Sequence, residues 1–144
     1  MTPPNPTSGT GIEQRFLNRF EELSRVSSEA SRFLEAAAIE GQPAYVANLT
    51  IEELGTNILK YGYDDTAVHE ILLQVDLEPG TLRIVFEDDG HPFNPLDVPE
   101  PDLDLPVEER ALGGLGIHLV RQLAHHFSYE RCNGRNRVTV EVKL

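Results

Sequence analysis

The segment from Gly90 to Gly113 constrains the fold of this chain most. It has no hydrophobic period. Five prolines (Pro92, Pro95, Pro99, Pro101 and Pro106) interrupt it, together with the acids Asp97, Glu100, Asp102, Asp104, Glu108 and Glu109. Proline fixes φ and offers no N–H, so neither a helix nor a strand ladder runs through such a stretch. A loop of more than about 20 residues inside a compact chain is uncommon and is usually a functional lid or a disordered segment. Regular structure has to come from the residues on either side.

Those flanks are strongly patterned. Ile12 to about Phe20 mixes apolar and polar residues; strand and helix templates compete there, and a strand is the reading adopted. Val26, Ala30, Phe33, Leu34 and Ala37 recur at spacings of three and four, which predicts a helix from Ser24 to Ile39, ended by Gly41-Gln42-Pro43. A second helix is expected from Ala44 to about Tyr61. Ala47, Ile51, Leu54, Ile58 and Tyr61 form its apolar stripe, and Thr50, Glu53, Asn57 and Lys60 its neighbouring polar face. Ile71–Leu77 and Thr81–Asp88 alternate around Pro79-Gly80 and read as an antiparallel hairpin. Beyond the loop, a third helix begins near Gly114, and strands follow at Phe127–Arg131 and Val138–Leu144, joined by a turn at Asn133–Asn136. This order predicts an α+β fold, a two-layer sandwich with three helices on one face of a mostly antiparallel mixed sheet.

With 144 residues the chain has the length of one domain. Residues 1–11 read as a disordered lead-in and 12–144 as a single domain whose lid is about 91–113. No apolar run approaches the ~20 residues of a membrane span, and Met1–Pro6 lacks the basic and apolar regions of a signal peptide. The single cysteine, Cys132, excludes an internal disulfide and a Cys-based zinc site, and fits a reducing cytoplasm. His125-His126 and Cys132 match no metal-ligand spacing. The formal charge of −12 disfavours direct nucleic-acid and anionic-membrane partners and favours proteins and cations.

Three motifs carry chemistry. In Glu53-Leu54-Gly55-Thr56-Asn57, the carboxylate and the amide lie one helical turn apart on one face. The amide oxygen suits Mg²⁺, and the carboxylate suits proton abstraction from an attacking hydroxyl. Alone, such a pair more often marks the solvated face of an amphipathic helix. In Asp88-Asp89-Gly90-His91-Pro92-Phe93, Asp88 shares the parity of Leu82, Ile84 and Phe86, so it is expected to point to the core side, where it needs a donor. An adenine amino group would supply one, and Gly90 would let a flat ring approach the backbone; a strand-ending Asp turn is the competing reading. Gly113-Gly114-Leu115-Gly116 opens the third helix with bare amides that favour phosphate, or is simply a loop end.

In this order and spacing the three motifs resemble the N, G1 and G2 boxes of the GHKL, or Bergerat-fold, ATP-binding superfamily. Leu49–Tyr63 and Gly113–Gln122 look most like the small RsbW/SpoIIAB-type anti-sigma factor serine kinases, and the resemblance spans roughly residues 12–144. It implies ATP and Mg²⁺ as cofactors, with Asn57 ligating the metal and Glu53 as general base. Asp88 would hold the adenine, with Gly90 and Phe93 beside the base, and Gly113, Gly114, Leu115 and Gly116 would meet the phosphates. Thr139 matches a family threonine near the adenine, although strand alternation turns it away from Val138, Val140 and Val142. Arg110 is offset from the family's lid arginine, and Lys60 is placed either to screen phosphate charge or in solvent. The resemblance further implies a cytoplasmic serine/threonine kinase and anti-sigma regulator. It would bind a sigma factor or other effector, phosphorylate a STAS-type anti-anti-sigma protein, and form a homodimer. The alternative is a non-catalytic ATP-binding module that sequesters a partner. A split histidine kinase is a third, weaker option.

Overall fold

The structure is a computed structural model that describes residues 10–97 and 114–144. Most of the lead-in and of the lid expected from the sequence lies outside the described residues. Strand β1 (Gly11–Leu17) is followed by helices α1 (Phe20–Ala36) and α2 (Gly41–Tyr61). The hairpin β2 (Glu70–Glu78) and β3 (Thr81–Asp88) comes next, then a short 3₁₀ turn at Pro95–Asp97. Helix α3 (Gly114–Leu123) and a second hairpin, β4 (His126–Cys132) and β5 (Arg135–Lys143), complete the chain. The strands form one sheet in the order β1-β2-β3-β5-β4. All four pairings are antiparallel, so the expected α+β sandwich is present, with a purely antiparallel sheet in place of a mixed one.

Alternation sorts the sheet's side chains into two faces. Phe16, Ile71, Leu73, Val75, Leu82, Ile84, Phe86, Val138, Val140 and Val142 are buried beneath the helices. Leu23, Val26, Ala30 and Leu34 of α1 meet them, as do Val46, Ala47, Ile51, Leu54 and Ile58 of α2 and Val120 of α3. The other face carries charge pairs between neighbouring strands, such as Arg83–Glu141 and Arg137–Glu87.

Three boundaries differ from the sequence expectation, each for a local reason. Helix α1 starts at Phe20 rather than Ser24, because Glu21 and Glu22 form a polar first turn that hides the helix from its apolar period. It ends at Ala36, not Ile39. Ala38 takes a left-handed φ of 58°, its N–H bonds the Glu35 carbonyl, and the Ile39 N–H bonds the Leu34 carbonyl at 2.9 Å. This is a Schellman closure with alanine where glycine is usual. Gly41-Gln42-Pro43, expected to end the first helix, instead opens α2, where proline is tolerated because first-turn N–H groups have no helical partner. The β4–β5 turn is also tighter than expected. Only Asn133 and Gly134, both with positive φ, lie between the strands, which is the two-residue hairpin that Asn-Gly favours. Arg135 and Asn136 therefore belong to β5, not to the turn.

Candidate nucleotide site

The C-terminal half of α2, the end of β3 and the start of β5 enclose a cleft. Leu54, Asn57, Ile58, Gly62, Asp88, Phe93, Pro95, Asn136 and Val138 line it. Asp88 ends β3 in phase with the core residues and is 4% exposed. Its Oδ1 accepts from the Gly90 N–H at 2.9 Å and from Asn136 Nδ2 at 3.0 Å. Burial pushes the Asp88 carboxyl above its usual range, opposed by those two hydrogen bonds and by the charge of Arg131. The next residue, Asp89, is fixed from outside the cleft. His69 bonds Asp65 through Nε2 at 2.8 Å and Asp89 through Nδ1 at 3.2 Å, and its ring stacks on Tyr63 at 4.1 Å. The Asp65 hydrogen bond leads in holding the His69 pKa up, and Asp89 acts in the same direction.

Gly90 is adjacent to Asp88 as expected, but its need for a bare α-carbon has another cause. A Cβ there would overlap the Gly62 carbonyl, and the neighbouring His91 N–H bonds that same oxygen at 3.0 Å. The close approach is made by the backbone at the end of α2.

A second, more open cleft lies on the other side of Asn57. Leu49, Glu53, Thr56, Asn57, Lys60, Tyr61, Gly116 and Leu119 line it. Glu53 and Asn57 are indeed on one face of α2, and Gly116 in the first turns of α3 packs directly on Glu53: any Cβ at 116 would overlap its carboxylate. Partial burial, then the Glu52 charge, raises the Glu53 pKa, and Lys60 lowers it. Lys60 is exposed at the rim. Tyr61, expected to close the apolar stripe of the helix, is 40% exposed at this rim, because the stripe leaves the core where α2 ends.

Asn57 is 4% exposed and borders both clefts, and its Nδ2 is buried without a hydrogen-bond partner among the described residues. A buried amide N–H without a partner is costly, so this nitrogen calls for an acceptor, such as a water or a ligand oxygen. The donor set suits a nucleotide and its cation: a carboxylate at one end, an orphaned amide in the middle, and a glycine with the first-turn amides of α3 at the other.

Thr139 is corrected. It pairs with Val85 and Ser128, and the alternation of β5 puts it on the face opposite Asp88 and the cleft. The polar β5 residue at the cleft is Asn136, which is 3% exposed and which the sequence pattern places in a turn. The Asn-Gly dipeptide was the signal that could have moved it into the strand. Gly114 and Leu115 begin α3, while Arg110 and Gly113 lie outside the described residues.

Comparison with known proteins agrees with this fold. The family described as "Histidine kinase-like ATPase domain" matches residues 16–142. The serine/threonine-protein kinase BtrW of Bordetella bronchiseptica is 26% identical over 99 residues, covering 67% of this chain and 68% of BtrW. The crystal structure of the RsbU and RsbW domains of Rv1364c from Mycobacterium tuberculosis superposes with a TM-score of 0.67 at 14% identity, over 93% of this chain. This chain spans 32% of that one. No described helix is long and apolar enough to cross a membrane. The resemblance to RsbW-type GHKL proteins read from the three motifs is borne out, and the chain belongs to the histidine kinase-like ATPase domain family.

Proposed function

We propose that this protein is an ATP- and Mg²⁺-dependent serine/threonine protein kinase that regulates by binding partners. It would hold a sigma factor or other effector and phosphorylate a STAS-type anti-anti-sigma protein. The observation that carries this reading is Asn57, whose buried, unpartnered amide borders the Asp88 cleft on one side and the Glu53–Gly116 cleft on the other. In this reading the Asp88 cleft would take the base and the Glu53–Gly116 cleft the phosphates, and the name of the BtrW relative supports protein phosphorylation.

In this reading Asp88 accepts from the exocyclic amine of adenine, and Phe93 packs beside the ring. Asn57 turns its amide oxygen to the cation, and the amides at the start of α3, Gly114 to Gly116, face phosphate oxygens. Bound Mg²⁺-ATP supplies the transferable phosphoryl group and neutralises its charge. Glu53 accepts the proton of the acceptor hydroxyl at its carboxylate. Its raised pKa makes it a stronger base than an exposed glutamate. Lys60, at the rim, limits that rise and screens phosphate charge.

The test is transfer from labelled ATP to a candidate STAS partner. Glu53→Gln should lower transfer by about 10²–10⁴-fold, the range for one acid–base group, with nucleotide affinity kept. Unchanged transfer in that variant would overturn the role of Glu53. ATP binding without transfer to any partner would leave the sequestering module as the function.

A further inference from the structure

At the end of the sheet, Asp88 of β3, Asn136 of β5 and Arg131 of β4 occupy one rung: Asp88 pairs with Asn136 and Asn136 with Arg131, all on the helix-facing side. The rung is fully wired. Asn136 Oδ1 accepts from the Tyr129 hydroxyl at 2.6 Å, from Arg131 at 3.0 Å and from the Phe93 N–H at 3.4 Å. Its Nδ2 donates to Asp88 Oδ1 at 3.0 Å and to the His91 carbonyl at 2.9 Å. Arg131 and the Phe93 N–H on one atom, and the Asp88 carboxylate and the His91 carbonyl around the other, leave a single orientation for this amide, because the flipped amide would oppose like with like at those four contacts, and the Tyr129 hydroxyl adapts to the orientation they set. Arg131 also donates to the Gly90 carbonyl at 2.8 Å, so the same guanidinium fixes the loop that follows Asp88.

We propose that Asn136, locked by Tyr129 and Arg131, is a positioning residue that sets purine selectivity. It occupies Oδ1 of Asp88, so that the remaining carboxylate oxygen meets the ligand as an acceptor only. Among the described residues both donors to Asp88 converge on Oδ1, and Asp88 lines the cleft that is left for Oδ2. Adenine presents an amino donor at its six-position, where guanine and hypoxanthine present a carbonyl acceptor. A fixed acceptor therefore attracts the amino group of the first and repels the six-position carbonyl of the other two. A carboxylate free to rotate, or to take up a proton, could hydrogen-bond either. The rung opposes both changes: Asn136 donates to the charged form, and Arg131 brings a positive charge up behind it.

This inference rests on the proposed nucleotide site but predicts a different signal. The readout is the ratio of dissociation constants for ATP and inosine triphosphate, which share every group except the six-position substituent and the adjoining N1 hydrogen, measured by calorimetry on the full chain. Asn136→Ala should weaken ATP by about tenfold, the worth of a hydrogen bond to a charged group. It should leave inosine triphosphate unchanged or tighter, so that the ratio falls by about tenfold. A residue that merely supported the fold would weaken both nucleotides alike and leave the ratio where it was; that result overturns the proposal. Tyr129→Phe removes one lock on the amide without opening the rung and should move the ratio the same way by a few-fold. It decides the matter if Asn136→Ala fails to fold, and an unmoved ratio in Tyr129→Phe would then overturn the proposal. Wild-type protein that binds neither nucleotide would instead remove the site itself, and the proposal with it.

Discussion

At the Asp88 end of the cleft, the strong polar groups already have protein partners: Asp88, Asn136, Arg131, Tyr129 and the Gly90 backbone close on one another across three strands. At the Glu53 end, on α2 and α3, Asn57 keeps an amide nitrogen without a partner, and Glu53 rests against a glycine that leaves it room. The first region is built before any ligand arrives, on neighbouring strands whose register is fixed. The second keeps a buried amide nitrogen without a partner among the described residues. Recognition benefits from preorganised contacts that need no rearrangement on binding. Transfer needs groups able to meet charge that arrives with the substrate. The same fold supplies both by putting one end on a sheet and the other on helix faces.

The comparison breaks most visibly at Gly116. Gly116→Ala puts a methyl group into the Glu53 carboxylate and should reduce phosphoryl transfer by about 10²-fold, the cost of displacing a reacting group by about 1 Å. ATP affinity should fall much less; the check is single-turnover transfer beside a binding isotherm. Asp88→Asn attacks the other end. The amide still accepts from Gly90 and Asn136, but it turns an amino group toward adenine, so ATP affinity should fall by at least about tenfold.

Asp88→Asn should also raise the Tm by a few degrees near neutral pH. Burial raises the Asp88 pKa in the folded chain, so the folded state holds this proton more tightly than the unfolded one. Stability is then lost as pH rises through the folded value, and a neutral amide escapes that loss. Thermal melts of both proteins should show the gap shrinking as pH falls.

Smaller effects sharpen the contrast. Lys60→Met removes the charge that lowers the Glu53 pKa, so the acid limb of kcat/KM should move to higher pH, with nucleotide selectivity unchanged. Ala38→Gly relieves the left-handed alanine at the end of α1, far from both ends of the cleft. It should add about 0.5–1 kcal/mol to stability, seen in denaturant unfolding, with kinetics unaltered.

What the sequence shows of this molecule follows from how local each signal is. Period-two alternation placed β2, β3 and the inward parity of Asp88, and period-3.6 patterning placed Glu53 and Asn57 on one helix face. These are properties of a single element. The Asn136 rung is a property of three strands in register and has no period of its own. It was hidden further by a hairpin turn that is two residues long rather than four. Gly90 illustrates the same limit: its position was legible, but its steric partner, the Gly62 carbonyl, comes from another element. Thr139 shows the converse, since alternation within β5 already set it on the far side from Asp88.

The most direct measurement is a calorimetric titration of wild-type protein and Asp88→Asn with ATP in the presence of magnesium. Saturable one-site binding to the wild type, at least about tenfold weaker in Asp88→Asn while the variant stays folded, is the expected result. No heat with the wild type at millimolar nucleotide, or equal affinity in the two proteins, would contradict a cleft in which a buried carboxylate reads the base.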